Sequence, residues 1–266
     1  MIHSGRRSEG TWRRRLVPGA RRWAVVVAAI IAAYVALLLR PEALLAHEVR
    51  VQNLALHASN PLPPEAERLA EQVLARIQRS PFYDAREVYR VFLCSSPAEF
   101  AFFAREQRNV GAISMVGLTG HAFVRPSDIR QKRLIGPKGR LLHDDRDLVY
   151  FITHELAHTM VARRVGRLQY LRLAVWQQEG YADTLAKEHF DYERMLSAFL
   201  RKDRRLDPGA SGLYLRYQLM FESQLRTGLT AQQLLAEPRD PAPVEALLAL
   251  EAGSSPAVHE QRVYRR

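Results

Sequence analysis

Cysteine is almost missing from this 266-residue chain: Cys94 is the only one. No internal disulfide can form and no cysteine-based metal site can exist, so thiols carry neither the fold nor the chemistry. Lysine is nearly as scarce, with four against 35 arginines, and alanine is abundant, a usage that reads as the codon bias of a GC-rich bacterium. Internal repeats and nucleic-acid-binding signatures are also lacking. The net charge of +11 does not restore that reading, because residues 1–40 alone carry +7, leaving 31 basic and 27 acidic groups over the remaining 226 residues. The basic excess is mainly an N-terminal tail and no nucleic-acid partner is expected. Length and apolar content suffice for one medium domain or two small ones.

Charge itself is missing from "WAVVVAAIIAAYVALLL", Trp23–Leu39. Seventeen uncharged residues lie at the short end of what spans a bilayer. Arg21 and Arg22 border the run on one side and Arg40 on the other, and seven arginines precede it. The bias of positive charge to the inner side puts the N-terminus in the cytoplasm and the rest of the chain outside. A cleaved signal peptide would have a shorter apolar core and small residues at the cleavage site, and Leu44 in "ALLAHE" sits where a small residue is wanted. The expectation is an uncleaved single-pass anchor in a bacterial inner membrane.

The exported part begins with strand-like segments. "HEVRVQNLAL" (47–56) and "REVYRVFLC" (86–94) read as strands, and "EAERLAEQVLARIQRS" between them as an amphipathic helix. Ser96, Pro97 and Glu99 form a helix start with a capping box. "GAISMVGLTGHAFVRP" (111–126) holds two short strand-like runs separated by Gly120, and "GPKGR" (136–140) is a turn. Helices dominate after that. Asp144 is expected to cap one ending at Gly166; "LAVWQQEGYADTLAKEHF", "YERMLSAFLRK" (stopped by Asp207–Gly209), "SGLYLRYQLMFESQLRTG" and the Thr230–Gln233 capping box give the rest. The class is α+β, a small mixed sheet on a mainly helical body.

Within the first of these helices, "FITHELAHTMV" (151–161) sets His154, Glu155 and His158 among apolar residues that wrap most of the helix. Burying unpaired imidazoles and a carboxylate costs several kcal/mol, about 1–3 for each group even on lenient scales, so partners are required. His154 and His158 are one helical turn apart and can reach a single divalent ion. Zn²⁺ suits imidazole nitrogen, and Glu155 then stands beside the first ligand, placed to take a proton. The motif is expected by chance about 0.02 times in a chain of this composition. A two-histidine site needs a third ligand, and "WQQEGYAD" supplies Glu179 in the following helix, with Asp183 one turn on to orient a ligand imidazole from behind.

"HELAH" followed by "WQQEGYAD" resembles the gluzincin zinc metallopeptidases, especially the peptidase MA-like families, over residues 148–186 and more weakly to Gly228. The resemblance implies a zincin-like catalytic domain with His154, His158 and Glu179 on zinc, Glu155 as general base and Asp183 in support. It also implies a sheet above the site whose edge strand holds an extended substrate; "TGHAFV" (119–124) is taken as that edge. Arg164 and Val161 exclude a metzincin, Gln178 stands where thermolysin-like enzymes have Asn, and the absence of a Gly-x-Met-Glu-Asn segment argues against exopeptidase action. A downstream hydroxyl or imidazole should assist the oxyanion; Tyr214 fits best, with Tyr217, His121 and His143 as alternatives.

The expected organisation is a basic tail (1–22), an anchor (23–39), a linker with the first strand (40–63), the catalytic domain (64–252) and a disordered tail (253–266). The expected activity is zinc-dependent endoproteolysis of exported proteins or peptides. The alternatives are a catalytically inactive, zinc-stabilised binding module of the envelope and a hydrolase of cell-wall peptides.

Overall fold

A computed structural model describes residues 18–105, 110–136, 139–141 and 146–254. It divides into two units, Met1–Arg40 and Pro41–Arg266. In the first, helix α1 (Pro18–Leu39) contains an 18-residue window, Arg22–Leu39, of mean hydropathy 2.3. By length and composition it can cross a membrane. Trp23, Ile30 and Ile31 are exposed, where a core helix would bury them.

In the second unit, the single strand expected over 47–56 is a hairpin. β1 (His47–Val51) and β2 (Leu54–Ala58) pair antiparallel about Gln52 and Asn53, and Gln52 has φ +52°. The segment expected to hold a linker and the first strand thus supplies two strands of the sheet. Helix α2 (Glu65–Ile77) follows, burying Leu69, Val73 and Ile77 at the expected spacing. Next come β3 (Tyr89–Leu93), α3 (Pro97–Ala104), β4 (Ala112–Ser114) and β5 (Ala122–Val124). Ser96 caps α3 through Glu99 N, while Glu99 bonds the N–H of Ser95 rather than that of Ser96.

The five-stranded sheet has the order β1-β2-β3-β5-β4. β2, β3 and β5 run parallel, and the outer strands β1 and β4 run antiparallel to their neighbours. One face presents Leu54, Leu56, Val91, Ala122 and Val124 to the main core. The other carries His57, Phe92 and Phe123, continued by Phe103 of α3 in a ring stack. The candidate substrate edge at 119–124 is corrected: β5 is internal, and β4 is the edge among the described residues. Two short strands, β6 (Ser127–Asp128) and β7 (Arg133–Leu134), form a separate pair.

Helix α4 (Leu148–Val165) is buried along 14 of its 18 residues. Its cap is Asp147, which accepts from Tyr150 N at 2.8 Å; the expected cap, Asp144, lies outside the described residues. Gly166, at φ +93°, ends it in a conformation that favours glycine. An unanticipated short helix, α5 (Arg167–Arg172), precedes α6 (Val175–Ala186). Gln177 fastens the start of α6 by donating to the carbonyls of Leu234 and Glu237.

The chain continues through α7 (Tyr192–Leu200), α8 (Pro208–Ser211), α9 (Leu215–Arg226), α10 (Ala231–Leu234) and α11 (Pro241–Ser254). Asp207 does not simply stop a helix but caps α8. The Thr230–Gln233 capping box is present. Gly253 and Ser254, expected in the tail, end α11, and the remaining tail lies outside the described residues. Gly180 explains how α6 and α9 approach: a Cβ there would run into the Tyr217 carbonyl oxygen and come within 2.9 Å of Phe221 Cβ.

Candidate metal centre

α4 presents His154 and His158 from successive turns, and α6 brings Glu179 opposite them. Glu179 Oε2 lies 3.1 Å from His154 Nε2 and 3.7 Å from His158 Nε2. One donor atom from each of the three residues falls within 4.8 Å of the others. Bonds of about 2.0–2.1 Å to a tetrahedral ion would set donors about 3.3 Å apart, so the observed separations suit a common cation. His154, His158 and Glu179 can therefore hold a metal ion.

The far sides of the two rings are held by different groups. His154 Nδ1 is 3.0 Å from Asp183 Oδ1, close although off the line of a good hydrogen bond. His158 Nδ1 is 2.6 Å from the Tyr170 hydroxyl. Asp183 is fixed in turn by Tyr150, whose hydroxyl donates to Oδ1 at 2.5 Å, and by Lys187, which donates to Oδ2 at 2.6 Å and to Gln218 at 2.8 Å. Sequence reasoning found Asp183 but missed Tyr150, Tyr170 and Lys187. Two of these carried a signal, because Tyr150 is four before His154 and Lys187 four after Asp183, each pair on one helix face.

Among the protein groups alone, burial opposes charge on His154, but Asp183 and Glu179 outweigh it and raise the pKa to about 10. Burial lowers that of His158 to about 4. For Glu179, burial acts upward, yet His158 and His154 together hold it below the usual carboxylate range. Burial lifts Glu155 to about 7, with a hydrogen bond from Ser114 of β4 acting the other way. A carboxyl near neutrality can both take and return a proton.

The cluster lines a cleft of about 820 Å³ walled on one side by residues 110–118, including all of β4, and on the other by Tyr170, Leu171 and Tyr214. Tyr214 is the N-cap residue of α9 rather than a helix-interior one, and its ring lies parallel to His154 with centroids 5.8 Å apart. Burial raises its hydroxyl pKa, so the proton is kept for donation. Tyr217 stacks behind Tyr214 and does not line the cleft. His121 packs against Phe92 on the opposite face of the sheet, which removes it from the oxyanion candidates. His143 lies outside the described residues.

Fold and cluster together define an α+β domain with a two-histidine, one-carboxylate group able to take a metal ion. No protein-family model matches the chain, and no curated protein or solved structure matches it either.

Proposed function

We propose that the chain is a zinc-dependent endopeptidase of the gluzincin kind, held at a membrane by α1, with its N-terminus cytoplasmic and residues 41–266 outside. The observation that carries the proposal is the convergence of both Nε2 atoms with Glu179 Oε2 beside the buried carboxyl of Glu155. His154, His158 and Glu179 would hold zinc, and the chemistry zinc supplies is Lewis acidity toward a carbonyl oxygen and toward water.

The chain's own groups do the rest. Glu155, buried beside the cluster, would take a proton from the attacking water and return it to the leaving amine. Tyr214 offers a protonated hydroxyl to the developing oxyanion from the cleft wall. On β4, the Gly111 carbonyl and the Met115 N–H bond toward β5. Antiparallel alternation then turns the N–H and C=O of Ala112 and Ser114 to the open edge, where an extended protein or peptide substrate can pair.

The test uses the purified chain, unfolded protein substrate and a chelator control. Glu155→Gln is expected to keep zinc and lose about 10²–10⁴-fold in turnover. Tyr214→Phe should lose about 10²-fold in kcat with zinc affinity unchanged. Wild-type turnover in Glu155→Gln would remove the mechanism.

A further inference from the structure

On α5, Leu168 and Leu171 are 75% and 61% exposed, while Tyr170 between them is 4% exposed. Burying a leucine side chain gains about 1.5–3 kcal/mol, yet it is the Tyr170 ring that joins the core beside Leu173, and a buried phenol needs a partner for its hydroxyl. The partner exists, since the Tyr170 hydroxyl meets His158 Nδ1 at 2.6 Å. Gly166, at φ +93°, makes the turn between α4 and α5, and its carbonyl accepts from Tyr170 N at 2.9 Å. The turn at Gly166 and the first turn of α5 thus set this side chain against His158.

We infer that Tyr170 is a positioning residue: its hydroxyl holds the His158 ring with Nε2 toward the donor cluster and fixes which nitrogen bears hydrogen. An imidazole whose Nε2 lone pair is committed to a cation keeps its hydrogen on Nδ1, and the Tyr170 oxygen then accepts that N–H. A ring turned over about its long axis would put carbon where Nε2 stands, and the Nδ1 contact opposes that turn together with the approach of Nε2 to Glu179 Oε2. His154 has Asp183 at its back, 3.0 Å from Nδ1 though off the line of a good hydrogen bond. The two imidazoles are thus braced by a phenol on one side and a carboxylate on the other. The inference rests on the proposed metal centre but not on peptide hydrolysis.

The test measures zinc affinity by chelator competition for the full chain in detergent and for Tyr170→Phe, His158→Gln and the double variant, with thermal unfolding of each without zinc. Tyr170→Phe is expected to weaken zinc binding about 10–100-fold. In the His158→Gln background it should have no further effect, and the metal-free melting temperature should stay close to that of its parent. Unchanged affinity in Tyr170→Phe would overturn the inference alone. An equal loss in both backgrounds would do the same, because Tyr170 would then act through the fold and not through the ring. If the wild type takes up no zinc, the metal-centre reading falls and this one with it.

Discussion

His154 and His158 on α4, and His57 and His121 on the far face of the sheet, are all buried. Their surroundings differ. Each α4 imidazole has its Nε2 turned to the Glu179 carboxylate and its Nδ1 against a second polar group. His57 and His121 pack their rings on Phe92, at 4.9 and 5.2 Å; His57 Nε2 lies 3.8 Å from an oxygen of the Glu48 carboxylate alone, and neither it nor His121 Nδ1 has a hydrogen-bond partner among the described residues. The proton balance follows the neighbours: burial lowers His121 to about 4 and also lowers His57, whereas the carboxylates around His154 raise it to about 10 against a deeper burial. Burial alone does not mark a histidine as functional. What sets the α4 pair apart is convergence of both rings on one carboxylate, in a group that can hold a metal ion.

Exchanging side chains between the two regions should break the comparison most sharply. Removing one proposed ligand, by His154→Ala or Glu179→Gln, should weaken zinc binding at least about 10²-fold, more than loss of a supporting partner costs. His57→Phe and His121→Phe should leave it unchanged. Chelator competition reads all four, and zinc loss in either phenylalanine variant would undo the distinction. A smaller effect is expected behind His154: Asp183→Asn keeps the shape, removes the charge and should cost about 10–100-fold in affinity.

The two regions were not equally legible in the sequence. Helical spacing puts His154 and His158 on one face of a helix and Glu179 and Asp183 on one face of the next; joining the two helices rested on the need for a third ligand and on the resemblance. The edge strand was misassigned because β4 and β5 are equally short and strand-like. Which of them lies outside depends on β5 pairing with β3, some thirty residues earlier in the chain. His121 was weighed as an oxyanion donor for the same reason, since the face a strand residue occupies is fixed only once its register is known. Tyr170 left no trace in "RLQYLRL", where the leucines look like the buried side. The β1–β2 hairpin was read as one strand because Gln52-Asn53 is a weak turn signal.

The smallest expected effect concerns acid. The His121 pKa falls from 6.5 to about 4 in the folded chain, in surroundings that include Glu42, Arg90, Arg163 and His57. The unfolded chain therefore binds the proton first as pH drops. The His121 contribution to stability is complete above pH 6.5 and is lost between 6.5 and 4. His121→Phe should flatten the stability–pH curve in that window, read by denaturant melts with chelator present in both samples. An unaltered slope would show that His121 takes up its proton as readily folded as unfolded.

The central claim, that two turns of α4 and one of α6 close on a single metal ion, is tested most directly by anomalous diffraction at the zinc edge from crystals of the purified chain. The expected result is one peak per chain, about 2.0–2.2 Å from His154 Nε2, His158 Nε2 and a Glu179 carboxylate oxygen. A zinc peak elsewhere, such as beside His57 and His121, or no peak from protein purified with zinc present, would contradict it.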